Sequence, residues 1–150
     1  MRFRFLWIGK TKDKNWLALQ EEYLRRLSHF VKTEVVEIRD QPVRDLKENE
    51  GKRILENLNQ NSFVCVLDVK GRTLSSPALA GEIEQWQNKG LKEISFVIGG
   101  AEGISQMVAD RADTVLSLSF LTFTHEMARV VMLEQMYRAF TIIRGFPYQK

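Results

Sequence analysis

Apolar residues along this chain come in short, almost unbroken runs, and between the runs they recur at helical spacing. RFRFLWIG over 2–9 reads as a first strand, and Asp13 reads as the N-cap of a helix carrying Trp16, Leu17, Leu24 and Leu27. TEVVEI (33–38) predicts a second strand, followed by a polar helix around 43–58 with Leu46, Ile54, Leu55 and Leu58. FVCVLDV (63–69) predicts a third strand ending in a turn at Gly71. Ser76 as N-cap, with Pro77 at the first helical position, opens a helix that Gly90 stops. ISFVIGG (94–100) predicts a fourth strand, a short helix follows over about 104–112, and TVLSL (114–118) predicts a fifth strand. The last helix spans 125–144 and stops at Gly145, with Pro147 beyond. Continuously apolar strands separated by helices predict an α/β domain, a parallel sheet with helices on both faces. No repeat, low-complexity tract or linker interrupts the pattern, so 1–150 reads as a single domain. In such sheets ligands sit outside the carboxyl ends of the strands. Three ends qualify: Leu67-Asp68, Gly99-Gly100 and Leu118–Thr124.

Composition narrows the class. With 44% hydrophobic and 27% charged residues the chain is an ordinary globular one. No apolar run approaches the ~18 residues of a membrane span, and MRFRFLWIGK reads as a strand rather than a signal peptide. The single cysteine, Cys65, lies within an apolar strand and reads as a buried structural thiol. A cytoplasmic protein with no membrane partner is expected. The net charge of +3 is unevenly spread. Residues 1–32 hold eight Lys/Arg against three Asp/Glu, 33–124 ten against fourteen, and 125–150 four against two. Basic ends would form one positive, nucleic-acid-facing surface if the termini meet, and a scattered solvated surface if they do not. There is no zinc-ligand spacing, and no metal is expected.

Two segments invite chemistry. FVIGGAEG places Gly99, Gly100 and Gly103 between a strand and a short helix, which suits either close backbone approach to a ligand or a tight turn without one. It is not GxGxxG and lacks the Lys-Ser/Thr of a phosphate-binding loop. The last helix is apolar nearly all round, from Met127 and Val130 to Ile142 and Ile143, and such a helix must be buried all round. A homodimer that covers the second face is the simplest solution, and unusually deep burial within one chain is the alternative. His125, Arg129 and Met136 share one stripe of the helix, and Glu134 and Arg138 share another. Arg138 lies roughly 140° around the helix from His125. The two therefore suit one site only across a dimer. Arg138 is either a paired structural ion or a functional cation.

FVIGGAEG, then LSLSFLTFTHEMARVVMLEQMYRAFTIIRG, then the terminal Pro-Tyr-x-Lys, resemble the bacterial large-subunit (23S) ribosomal RNA pseudouridine N3-methyltransferases, small enzymes of the SPOUT class. The likeness runs the full length, including MRFRFLWIGK and EYLRRL. It implies a C-terminal trefoil knot, a homodimer, S-adenosylmethionine as methyl donor and, as acceptor, a pseudouridine of large-subunit rRNA within the assembled ribosome. By the resemblance, Leu118, Ser119, Phe120, Leu121, Thr122 and Phe123 wrap the donor, and Leu67, Gly99, Gly100 and Gly103 complete the pocket. The hydroxyls of Ser119 and Thr122 serve the ligand or cap the loop's own backbone. Arg138 is implied to face the target nucleotide from the partner subunit. His125 holds the loop, contacts RNA or acts as a base. Arg129, Tyr148, Gln149 and Lys150 are the candidate RNA contacts. The family usually ends Tyr-His-Lys or Tyr-His-Arg. Gln149 departs from that pattern, since it hydrogen-bonds but does not titrate near neutrality. The competing readings are a non-catalytic RNA- or ribosome-binding homodimer and, from the glycines alone, a nucleotide-binding oxidoreductase that would bind NAD.

Overall fold

Alternation along the first strand decides the layering. In β1 (Arg2–Ile8), Phe3, Phe5 and Trp7 pack on one face of the sheet while Leu6 and Ile8 pack on the other. A computed structural model describes residues 1–40 and 44–148 and shows how both faces are closed. The remaining strands are β2 (Lys32–Ile38), β3 (Phe63–Thr73), β4 (Glu93–Ile98) and β5 (Thr114–Ser117). They form one sheet in the order β2-β1-β4-β3-β5, with every neighbouring pair parallel. The first face carries α1 (Lys14–Leu27), α3 (Ser76–Asn88) and α5 (His125–Arg144), packed through Leu27, Ile83, Trp86, Met132, Leu133 and Phe140. The second carries α2 (Leu46–Asn57) and α4 (Gln106–Arg111), packed through Ile54 and Val108. The expected α/β single-layer sheet with helices on both faces is therefore the fold. Among the described residues, no helix is long and apolar enough to cross a membrane.

The caps explain the helix ends. Asp13 accepts hydrogen bonds from the N–H groups of Asn15 and Trp16, as expected of an N-cap. The cap of α3 is Ser75 rather than Ser76: its hydroxyl accepts from the Ala78 N–H, and Pro77 is the second helical residue. Ser76 is free for a tertiary contact and donates to the Gln135 Oε1 at 2.6 Å. The polar helix starts at Leu46 rather than 43, and 41–43 lie outside the described residues.

Gly71 does not end β3. The strand continues to Thr73, and a register shift between Leu67 and Arg72 lets its far end rejoin β5 at Leu116 and Ser117. A Cβ at Gly71 would stand 2.6 Å from the Leu116 carbonyl carbon and 2.7 Å from that of Val115. These are backbone atoms, so the close crossing admits no side chain. Gly71→Ala is expected to destabilise the fold by about 2 kcal/mol, the usual penalty of overpacking. Urea unfolding measures it, and an unchanged midpoint would mean that the crossing yields.

The last helix is covered more fully by its own chain than its sequence suggests. α1 and α3 flank it, and from Glu126 through Ile143 no residue of α5 is exposed. Deep burial within one chain thus accounts for much of its apolar surface. Val131, Ile142 and Ile143 stay half-buried.

Candidate functional site

Because all five strands are parallel, their carboxyl ends share one edge, and three of the loops leaving it enclose a pocket of about 260 Å³. The end of β3 supplies Leu67, Asp68 and Val69. The turn after β4 supplies Gly99, Gly100, Ala101, Gly103 and Ile104, closed by a Gly103 N–H to Gly100 C=O hydrogen bond of 3.0 Å. The loop after β5 supplies Ser117, Leu118, Ser119, Leu121, Thr122 and Phe123, and the first turn of α5 adds His125 and Ala128.

Nine of the ten expected pocket residues therefore lie on this wall: Leu67, Gly99, Gly100, Gly103, Leu118, Ser119, Leu121, Thr122 and Phe123. Phe120 does not. It stands outward with 88% of its surface exposed, because the loop turns its tip away from the cavity. The loop's hydroxyls largely serve the loop itself. Ser117 donates to the Ser119 carbonyl at 2.9 Å, and Ser119 accepts from the Leu121 N–H at 3.0 Å. Thr124 caps α5 by accepting from the Met127 N–H. Among the described residues, Asp68 is the only acid and His125 the only imidazole on the pocket wall. Asp68 is also tied to its own turn, accepting from the Lys70 N–H at 2.9 Å.

Arg138 is not on this wall. It sits thirteen residues beyond His125 on α5, about 20 Å along the helix axis. Its Nε donates to Glu134 Oε1 at 2.9 Å, and this hydrogen bond is the first cause of its raised pKa. Tyr148 folds back onto the same pair. Its hydroxyl donates to Glu134 Oε1 at 3.0 Å, and the Arg138 guanidinium lies 5.0 Å from its ring centre. Burial, aided by hydrogen bonding with Tyr23 and Glu134, pushes the Tyr148 phenol well above its ordinary range. Gln149 and Lys150 lie outside the described residues.

Arg129 corrects an expectation. It is 1% exposed, so it cannot contact RNA. Its guanidinium donates to the Ile8 carbonyl at 2.6 Å and to Thr11 Oγ1 at 2.9 Å, and lies 4.9 Å from the Trp7 ring centre. Desolvation lowers its pKa from the ordinary arginine value, partly offset by Glu126 and Glu37. Glu126 reinforces the junction by accepting from the N–H groups of Lys12 and Asp13 at 2.9 Å each. Together they fasten the first turns of α5, which carry His125 and Ala128, to the end of β1.

Several wall residues had no signal of their own. Val69, Ile98, Ala101, Ile104, Ser117 and Ala128 are recognisable only as neighbours of the named strand ends. Glu50, buried beside Gly100, reads in sequence as one more solvated acid of a polar helix.

The chain is similar to known proteins in sequence and in fold. A family profile described as "Predicted SPOUT methyltransferase" matches residues 1–149. The chain is 43% identical to the ribosomal RNA large subunit methyltransferase H of Halothermothrix orenii and 40% identical to the protein of the same name from Clostridium botulinum. Each alignment covers 100% of both proteins. Among solved structures, the tRNA (m1G37) methyltransferase of Aquifex aeolicus is similar with a TM-score of 0.57 and 17% identity, covering 100% of this chain and 74% of that one. A Legionella pneumophila protein solved with the cofactor SAM bound gives a TM-score of 0.52 at 11% identity, over 93% of this chain and 66% of that one. At these identities the structural likeness is one of fold.

Proposed function

The chain belongs to the SPOUT methyltransferase family, and from that premise we propose that it transfers a methyl group from S-adenosylmethionine to N3 of a pseudouridine in large-subunit ribosomal RNA, on the assembled ribosome. The observation that carries this reading is the pocket at the carboxyl edge of the sheet, walled by the glycine turn and the 117–123 loop.

The residues present suit the donor. Leu67, Ile98, Ile104, Leu118 and Phe123 offer apolar cover for an adenine, while backbone groups of the loop and turn are at hand to read its edge. A Cβ at Gly99 would meet Ile104 Cδ1 at 2.7 Å and the Gly103 oxygen at 2.9 Å, so the turn keeps its shape only without a side chain there. When bound, the donor would supply an electrophilic sulfonium methyl group for the acceptor N3, its sulfur leaving as a neutral thioether while the N3 proton is lost to water. The protein's task is alignment and stabilisation of the imide anion that develops. His125 holds the mouth of the pocket. Arg138, too far along α5 to serve the pocket of its own chain, supplies its positive charge to the pocket of a partner subunit in a homodimer. The exposed side chains of Phe120, Leu121 and Val69 give that partner apolar surface to cover. Tyr148, whose ring lies beside Arg138, is a candidate RNA contact together with Gln149 and Lys150, and the trefoil knot of the family belongs to this reading. The site of action is the cytoplasm, where ribosomes are.

Transfer of labelled methyl from S-adenosylmethionine to ribosomes lacking the modification, followed by nucleoside mass analysis, tests the proposal. A 3-methylpseudouridine product is expected, with Gln149 compatible with the chemistry. Ribosome binding without methyl transfer would favour an RNA-binding dimer, and NAD binding without affinity for S-adenosylmethionine would favour an oxidoreductase.

A further inference from the structure

Beneath the glycine turn lies a carboxyl group that the site as described does not use. Glu50 on α2 is 4% exposed, and its Oε2 is buried without a hydrogen-bond partner. A Cβ added at Gly100 would stand 2.7 Å from that Oε2 and 3.0 Å from Oε1. The carboxyl group therefore presses on a residue that lines the pocket. Its place is set by the packing of α2. A Cβ at Gly51 would fall 2.1 Å from Ser105 Oγ, so the helix lies flat against the start of α4. Ser105 Oγ is itself buried and unpartnered.

The charged groups facing Glu50 are Asp40 beyond β2, Glu102 in the glycine turn and Arg53 one turn along α2. Burial, then Asp40, raises the Glu50 pKa, Glu102 adds to the rise, and Arg53 offsets part of it. The pocket wall itself carries one more acid, Asp68. An interior carboxyl group with no partner weakens a fold. Its presence calls for a use at the one place nearby where charge changes, which is the pocket.

We propose that Glu50 is a specificity-determining residue of the donor pocket: acting from beneath Gly100, its carboxylate favours an occupant that carries positive charge, and so prefers the sulfonium donor to the neutral thioether left after methyl transfer. The inference rests on the methyltransferase reading. Donor and product share the adenosine and the amino-acid tail and differ by one methyl group and one positive charge. A buried carboxylate acts over several ångströms with little screening, so it separates the two ligands by charge rather than by shape. The same group thereby helps the product to leave.

Calorimetric titration of S-adenosylmethionine and S-adenosylhomocysteine into the wild-type protein and Glu50→Gln tests this directly. The substitution is expected to weaken the sulfonium ligand about tenfold and the thioether by no more than about twofold. Equal weakening of both ligands would reduce Glu50 to a support for the turn and overturn the proposal, as would unchanged affinity for the sulfonium. Thermal melts supply a readout without any ligand. A buried carboxyl group with a raised pKa stabilises the fold fully below its unfolded value and loses that contribution as pH rises through the folded one. Glu50→Gln should therefore melt higher than wild type at neutral pH, and the gain should vanish in acid. If the variant does not fold, the wild type decides. Its preference for the sulfonium should fall as acid protonates the carboxylate, whose pKa is raised by burial, and a ratio that stays constant down to the acid limit of folding overturns the proposal. A wild-type protein that binds neither ligand would overturn the donor pocket itself, and this proposal with it.

Discussion

Arg129→Ala is expected to destabilise the fold by about 3 kcal/mol, the sum of a cavity beside Trp7 and the loss of two buried hydrogen bonds. The size of the effect follows from position. No Asp or Glu lies within ion-pair distance of Arg129 among the described residues, so its charge is held by neutral acceptors and an aromatic face. Removing it leaves the Ile8 carbonyl and Thr11 without that donor in a dry interior. It also releases the only arginine tie between α5 and the end of β1 among the described residues. Because His125 and Ala128 occupy the turn of α5 that Arg129 secures, donor affinity should fall along with stability. Arg129→Met separates the two causes: it refills most of the volume, so it should recover stability in part while leaving donor binding weak. Denaturant unfolding and ligand titration of the two variants measure this, and an Arg129→Ala protein as stable as wild type would show that the junction is held elsewhere.

Arg129 also marks where sequence reasoning reached its limit. Helical spacing put it on one stripe with His125, and an arginine near a binding loop reads naturally as an RNA contact. Periodicity gives an angle around the helix axis but not which neighbour fills that angle, and here the neighbour is Trp7 at the end of β1. Glu50 failed for the opposite reason. It lies in a polar helix where a solvated acid is the ordinary expectation, and only the three-dimensional contact with Gly100 gives it significance. Gly71 looked like a strand end because glycine so often marks a turn, whereas its role is a backbone crossing that joins residues 45 apart in sequence. What was legible rests on local rules. Continuous apolar runs gave the parallel sheet, Asp13 and Gly145 gave helix ends, and the strand ends gave the pocket. Of the residues expected on the pocket wall, Phe120 alone lies elsewhere, since a loop's position can be inferred from its flanking elements while the direction of its tip cannot.

Arg138→Ala should lower methyl transfer by ~10²-fold or more, because an arginine that faces developing anionic charge in a water-poor site is worth that much to the rate. The fold should survive the change. Arg138 and Glu134 are one helical turn apart and partly accessible, and pairs of that kind contribute little to stability. Turnover and melting temperature should therefore separate, and a folded variant with normal turnover would remove Arg138 from the mechanism. Its distance from the pocket makes a sharper demand. About 20 Å of helix separates Arg138 from His125, so an effect on chemistry requires the pocket of another subunit. Mixing Arg138→Ala subunits with subunits disabled by Gly99→Val, whose side chain would collide with Ile104 and the Gly103 carbonyl, provides the test. In a mixed dimer the intact pocket of the first chain meets the intact arginine of the second. Random pairing should restore roughly a quarter of wild-type activity. Absence of rescue in verified mixed dimers would mean that each site belongs to one chain, and an arginine so far from its own pocket would then have no part in the transfer step.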